Sequence, residues 1–351
     1  MPFRFFRRIR IAPGVTLNLS KGGASISVGP RGAKFTVGTS GTRATAGLPG
    51  TGLHYTVVNP HKNLASGSRR QSRSSSDNAR APAPAKLSWL KRLSMPKSEQ
   101  AFVQGWQAWS EEQVNRALDL FLSVPSDAAP GADAAWSAAV IYTQQEQFGL
   151  AANLLEGALQ TPQRIGSTFA EHGLMPTLYV DVAPDVEASM SPTAYSARLL
   201  LSELQQSQGE SAQALKTLQP LLPRSPDAGA DPVVLAAFGE LAIEVNDVEA
   251  QQRFLTLAAA LANDTPVHTV VMYYRAQALV NQSLANAALE VLTPALRRTK
   301  DRSQELLLNI RHLRAQVYQT LGRKARARAD LERIYAADPG FEGVAEALGV
   351  K

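Results

Sequence analysis

With 351 residues, 44% of them hydrophobic, the chain has room for two or three domains and enough apolar side chains for a core, which excludes wholesale disorder. It has no cysteine, so disulfides, thiolate metal sites and cysteine nucleophiles are excluded, and the composition suits a reducing cytoplasm. The net charge of +6 conceals an asymmetry: residues 1–100 carry 17 Lys and Arg against two acids, whereas residues 101–351 carry 19 bases against 28 acids, so a half of +15 precedes one of −9. Such separation suits a basic arm for nucleic acid or another anionic surface, or equally an attraction between the two halves of one molecule.

The amino terminus, Met1-Pro2-Phe3-Arg4-Phe5-Phe6-Arg7-Arg8, is not followed by the apolar run of a secretory signal, and no stretch of about 18 apolar residues predicts a membrane span. In an extended first strand, Phe3 to Ile11, the side chains of Arg4, Arg8 and Arg10 share one side and Arg7 takes the other. A row of guanidinium groups suits phosphate, while charge on an edge strand also guards against aggregation. The rings of Phe3, Phe5 and Phe6 are expected in a core rather than stacked on bases.

From Val15 to Val58 the turns recur every nine residues, at Ser20–Gly23, Gly29–Gly32, Gly38–Gly41 and Gly47–Gly50, with strand-length segments between them. This predicts an antiparallel β-meander. Val15, Leu17, Leu19, Ala24, Ile26, Val28, Ala33, Phe35, Val37, Leu53, Tyr55 and Val57 fall on one face. Thr16, Asn18, Ser25, Ser27, Lys34, Thr36, Arg43, Thr45 and His54 fall on an acid-free other face, where Lys34 and Arg43 extend the candidate polyanion set of Arg4, Arg7, Arg8 and Arg10. An open sheet leaves its apolar face uncovered, so the first strand must cross it or a partner must cover it, which makes self-association through this module an expectation. The glycine turns lead into strands rather than into a helix amino terminus, so they do not make a phosphate loop.

The stretches Phe3-Arg4-Phe5, Ile11-Ala12-Pro13-Gly14-Val15, Leu17-Asn18-Leu19-Ser20-Lys21-Gly22-Gly23, Ser25-Ile26-Ser27-Val28-Gly29 and Gly47-Leu48-Pro49-Gly50-Thr51-Gly52-Leu53 resemble the small bacterial domain of unknown function 4236, over roughly residues 2–58. The resemblance implies a bacterial origin and an accessory module. It brings no activity and no catalytic residue.

Residues 59–86 change to Ser, Arg, Asn, Pro and Ala, with almost nothing apolar, and are expected to be a disordered linker after a β-rich module at 1–58. Leu87-Ser88-Trp89-Leu90-Lys91-Arg92-Leu93 suits a short amphipathic helix that leads into the next domain, or one that touches anionic lipid.

The remainder, 87–351, reads as all-α. Near the end, Ala315, Tyr318, Gly322, Ala327 and Pro339 stand at the spacing of a helix-turn-helix unit of about 34 residues and resemble a tetratricopeptide repeat. Small Ala315 and Ala327 suit a close helix crossing, Gly322 a turn and Pro339 a helix end. Ala139, Tyr142, Phe148, Ala151, Leu155 and Ala158 fit the same pattern, as do Gly209, Ala214, Leu218 and Pro226. Weaker units are Gly105 with Ala117 and Phe121, Gly239 with Ala258, and Arg275 with Ala278, Ala287 and Val291. Second-helix anchors at 117, 151, 214, 251, 287 and 327 step by 34, 63, 37, 36 and 40, so an insertion is expected at about 161–192, where Leu178–Pro184 does not suit a repeat helix. A stacked array predicts a superhelix whose concave groove takes a protein or peptide partner, with the insertion a candidate for specificity, a degenerate unit or a surface loop. The basic runs Arg297–Arg302 and Arg323–Arg328 read as solvated helix ends.

The five histidines, His54, His61, His172, His268 and His312, show no metal spacing, no Gly-x-Ser-x-Gly elbow occurs, and the acid-free β-module offers no carboxylate pair. No catalytic residue, metal or cofactor is expected. The sequence therefore predicts a cytoplasmic, non-catalytic protein-binding scaffold whose β-module anchors or oligomerises, with nucleic-acid or polyanion binding as the alternative.

Overall fold

In the computed structural model, side chains are described from residue 95 to 350, apart from Ser110 and positions between 173 and 189; ahead of residue 95 only the backbone of strand segments is described. Those segments are β1 (Arg7–Ile9), β2 (Val15–Ser20), β3 (Gly23–Val28), β4 (Ala33–Gly38), β5 (Gly41–Gly47) and β6 (His54–Pro60). The linker beyond β6 and the segment Leu87–Leu93 lie outside the described residues.

From residue 97 onward the described residues form mostly paired helices, interrupted once by a short helix and two strands. The first pairs are α1 (Lys97–Ser110) with α2 (Val114–Leu122), and α3 (Gly131–Gln144) with α4 (Phe148–Ala158). The short α5 (Ser167–Glu171) and strands β7 (Leu178–Ala183) and β8 (Val186–Met190) follow. Then come α6 (Ala194–Ser207) with α7 (Ser211–Leu218), α8 (Pro232–Glu244) with α9 (Val248–Ala258), α10 (Pro266–Asn281) with α11 (Ala285–Ala295), α12 (Gln304–Thr320) with α13 (Lys324–Ala337), and α14 (Val344–Leu348). Backbone contacts divide the chain into two compact units, 6–180 with 188–204, and 205–351 with 1–5 and 181–187.

One turn joins the helices of every pair. The residue two positions ahead of the second helix is left-handed: Glu112, Glu146, Gly209, Asn246, Ser283 and Gly322, with φ from +53° to +82°. The next amide reaches back to a carbonyl of the last helical turn, Gln113 N–H to Ala108, Gln147 to Tyr142, Glu210 to Gln205, Asp247 to Ala242, Leu284 to Leu279 and Arg323 to Tyr318, at 2.8–3.0 Å. This is the Schellman closure, which satisfies carbonyls that a helix end otherwise leaves bare. Glycine is the cheap residue at this position, yet only two of the six turns use it.

The fourth residue of each second helix is buried: Ala117, Ala151, Ala214, Gln251, Ala288 and Ala327. At the fifth pair the buried residue is Ala288, whereas Ala287 is half-buried, and Ala276 rather than Arg275 is buried on the first helix. Adjacent alanines hide a one-residue slip from sequence spacing. Gln251 is tolerated because its amide donates to the Ala242 carbonyl at 3.2 Å. On the first helices a small residue faces the second: a Cβ on Gly105 would stand 2.6 Å from the Phe121 ring, and one on Gly239 equally close to Phe254.

Between α4 and α6 the chain leaves the pair pattern. A 3-10 turn at Pro162–Arg164 leads to α5, then to β7, which is hydrogen-bonded to β8 on one side and on the other to β1, with Arg8 opposite Tyr179. At the far end Phe341, Val344 and Leu348 cover Leu308, Ala315, Leu331 and Ile334, so α14 closes the apolar end of the last pair.

Candidate interaction surface

In the first unit, α1 presents Phe102, Trp106 and Trp109 at helical spacing, and α3 presents Trp136, Val140 and Thr143. All six are buried. The Phe169 ring of α5 lies on both rows, with centroids 5.2 Å from Phe102, 5.3 Å from Trp106 and 5.7 Å from Trp136, each edge-on. The Trp106 indole donates to Ser137 Oγ at 3.1 Å, and that hydroxyl donates to the Asp133 carbonyl. In contrast, the Trp109 and Trp136 indole N–H groups and the Thr143 hydroxyl are buried and have no hydrogen-bond partner among the described residues.

Asp133, fully buried at the start of α3, holds α5 by its amino terminus. Its carboxylate accepts from the backbone N–H of Gly166 at 2.5 Å, Thr168 at 2.9 Å and Phe169 at 3.3 Å. Burial pushes this carboxyl above its ordinary value, and those amides pull it back in part. Gly166 is left-handed at φ 97°, and a Cβ there would meet the Pro192 carbonyl oxygen at 2.5 Å, so only glycine fits where the two ends of the insertion meet. At the other end of α5, His172 Nε2 stands 2.9 Å from Glu99 of α1. Thr168 and Phe169 of α5 are buried, as is Ile165 in the extended turn ahead of it, and His172 just past it is half-buried.

The second unit holds polar clusters instead. Asp330 of α13 is buried and takes a bidentate pair from Arg314 at 2.8 Å, with Arg311 and Arg333 each 3.7 Å from one oxygen. The Asp330 partner holds the Arg314 guanidinium above its ordinary value despite burial. Arg302 was expected on a solvated helix end, but it is buried. It donates to Thr269 Oγ1 at 2.5 Å and to Asn263, stapling the loop after α9 to the loop after α11. Burial, with the carboxylate of Glu240 of α8 nearby, holds the Tyr274 phenol of α10 well above its ordinary value and pushes neighbouring Tyr273 up to about 12.

Ala139, Ala151, Ala158, Ala214, Gly239, Ala258, Ala315 and Ala327 are buried within helices, Tyr142 and Tyr318 half-buried, Gly209 and Gly322 in the left-handed turns, and Pro339 exposed two residues past α13. Of the candidate polyanion set, Arg4 and Arg10 lie outside the described residues. Arg7, Arg8, Lys34 and Arg43 are described only as strand backbone. Phe169 and Asp133 carry the surface described above and were missed in the sequence, where the signal available was the spacing Ile165, Thr168, Phe169, His172 inside a segment that reads as a loop.

Residues 3–56 match the family described as "Protein of unknown function (DUF4236)", which covers the amino-terminal segment alone. No curated protein matches the chain. Among solved structures it is similar to the N-terminal domain of the EccA1 ATPase from the ESX-1 secretion system of Mycobacterium tuberculosis, at 15% identity and TM-score 0.48, over 72% of this chain and 88% of that one. A thermophilic TPR protein of Thermus thermophilus aligns at 15% identity and TM-score 0.38, over 62% and 97%. YrrB, a TPR protein with an unusual peptide-binding site, aligns at 13% and 0.35, over 74% and 97%. Among the described residues no group of His, Asp and Glu converges as a metal site, and no helix is long and apolar enough to cross a membrane.

Proposed function

We propose that the chain is a non-catalytic, cytoplasmic protein-binding scaffold. The repeats hold a protein or peptide partner, and the basic β-module at 1–58, reached through the linker at 59–86, anchors or oligomerises. The observation that carries this reading is the run of paired helices from residue 97 onward, each pair closed by the same turn, an architecture whose stacked helices present an extended face to a partner.

For the β-module, the support is register. Strands β2 to β6 are antiparallel in sequence order, and apolar-face residues of the sequence stand opposite one another in register, Leu17 with Ile26, Leu19 with Ala24 and Val28 with Phe35. Thr36 stands opposite Arg43 and Lys34 opposite Thr45 in register.

The test immobilises the full chain, identifies captured proteins by mass spectrometry and titrates each purified candidate by calorimetry. A saturable, stoichiometric complex is the expected result; no complex with any purified candidate overturns the reading. The asymmetry of +15 against −9 favours polyanion binding as the second reading. Full-length protein titrated with duplex DNA and RNA across a salt series separates the two. Steep salt dependence lost in the fourfold variant Arg4→Ala, Arg7→Ala, Arg8→Ala, Arg10→Ala establishes the polyanion reading, and absence of binding at low salt removes it.

A further inference from the structure

We infer that strand β7 of the insertion is the docking site of the chain's own amino-terminal module, which adds β1 to the edge of β7 and is drawn there by charge. The inference names the place to which the module anchors, and it rests on the anchoring part of the scaffold reading.

Three observations carry it. The first is register. β1 runs antiparallel to β7 with Arg7 opposite Val180, Arg8 opposite Tyr179 and Ile9 opposite Leu178, which makes β7 the middle strand of the sheet β1-β7-β8. β1 is hydrogen-bonded into this sheet and not into the five-stranded sheet of β2 to β6, so the first strand of the module serves the insertion. Without β1, β7 would present a row of bare N–H and C=O groups, the template that strand addition uses.

The second observation is charge. Residues 1–11 carry Arg4, Arg7, Arg8 and Arg10 and no acid, whereas residues 165–197 carry Glu171, Asp181, Asp185 and Glu187 and no Lys or Arg. A basic strand is steered toward an acidic insertion, and charge of one sign on each partner disfavours pairing of like with like.

The third is the frame. The Gly166 amide is held by the buried Asp133 carboxylate, and Gly166 lies so close to Pro192 that a Cβ would stand 2.5 Å from its carbonyl oxygen. The two ends of the insertion are therefore pinned together, and a strand raised on a fixed stem needs little ordering before it accepts another. The occupant is the chain's own strand rather than a second copy's. Residues 61–96 join β6 to α1, and a flexible tether of that length keeps its ends at an effective concentration on the order of a millimolar.

The experiment uses the full chain, whose lack of cysteine lets an introduced pair report alone. Opposed residues of an antiparallel pair stand about 4.5–5.5 Å apart at Cα, within disulfide reach. Arg8→Cys with Tyr179→Cys should therefore close a bond within one chain under mild oxidation. Arg7→Cys with Tyr179→Cys, one step out of register and on opposite faces, should close at least about tenfold more slowly. Adding Asp181→Lys, Asp185→Lys and Glu187→Lys to the first pair should slow closure at least about threefold at low ionic strength. Equal rates for the two cysteine pairs overturn the docking, and an unchanged rate after charge reversal overturns the role given to charge. A bond that forms between chains, with a yield rising with protein concentration, overturns the inference in favour of a second copy.

Where neither pair closes, hydrogen exchange decides. The amides of residues 178–180 should lose protection at least about tenfold when residues 2–10 are deleted, and equal protection overturns the inference. Closure without any captured partner removes the partner-binding part of the scaffold reading alone, whereas capture without closure removes the docking alone.

Discussion

The first and last helix pairs share a backbone and differ in what fills it. Between α1 and α2 the interior is aromatic, with Phe121 within 6.1 Å, centroid to centroid, of Phe102, Trp106 and Trp109. Between α12 and α13 a buried carboxylate, Asp330, gathers three arginines, and Tyr318 lies under the guanidinium groups of Arg314 and Arg326. The turn is the same in both: a left-handed residue followed by a reach-back amide, Glu112 and Gln113 in one and Gly322 and Arg323 in the other. Pair geometry is thus set by the turn and by the small residue where the helices cross, Gly105 or Ala315. The remaining interior is free to be greasy or charged.

Substitutions that empty each interior test that division most strongly. Phe121→Ala should cost about 3–5 kcal/mol, since it opens a ring-sized cavity beside three aromatic neighbours. Asp330→Ala should cost about 3 kcal/mol by leaving half-buried guanidinium groups unpaired. Because neighbouring pairs couple only through their shared faces, the second change should appear in hydrogen exchange as fraying of α12 to α14, with α1 and α3 unaffected. A uniform loss of protection along the array would break the comparison.

At the crossing, Gly239→Ala should cost about 1–3 kcal/mol in a urea melt, because the new methyl group must push the buried Phe254 ring, 2.6 Å away. The turns should respond less and in both directions. Glu112→Gly and Glu146→Gly remove a side chain from a left-handed position and should each gain about 0.5–1 kcal/mol, while Gly322→Ala should lose about 1 kcal/mol by strain alone, its Cβ meeting open space. Equal behaviour of all turns under exchange to glycine would show that the backbone, rather than the interior, distinguishes the pairs.

The smallest effect is in pH. Asp133 holds its proton more readily folded than unfolded, so between its ordinary value of 3.8 and its raised folded value its contribution to stability falls as pH rises, and it is flat above. Asp133→Asn should remove that slope from a melting-temperature profile over the acid range. An unchanged profile would show that the three amide donors fully offset burial.

Much of this was legible in the chain itself. Ala151, Ala214 and Ala327 advertise the second helices because a close crossing admits only a small side chain, and Gly209 and Gly322 mark two turns by the one residue that pays no steric cost there. Glu112, Glu146 and Ser283 gave no such signal, since the same turn forms in them against local preference, held by packing of the helices on either side, while Asn246 is a residue type that tolerates the left-handed region. Ala288 was read one position early because Ala287 stands beside it. Arg302 was read as solvated because a basic run looks the same whether it faces water or a buried hydroxyl.

By itself the sequence determined the class of fold beyond residue 97, since a repeated pattern of small, apolar and turn residues can bury its faces in one way only, by stacking helix pairs. Spacing also located the break in that pattern between α4 and α6. Only tertiary structure decided what the break does. Phe169, Asp133 and Glu99 are far apart in sequence, and nothing local in them states that a ring, a buried carboxylate and a second carboxylate beside His172 will meet across two helices. Periodicity reports which side of an element is buried; which other element buries it is settled by long-range packing, and at α1 and α3 that element is the chain's own insertion.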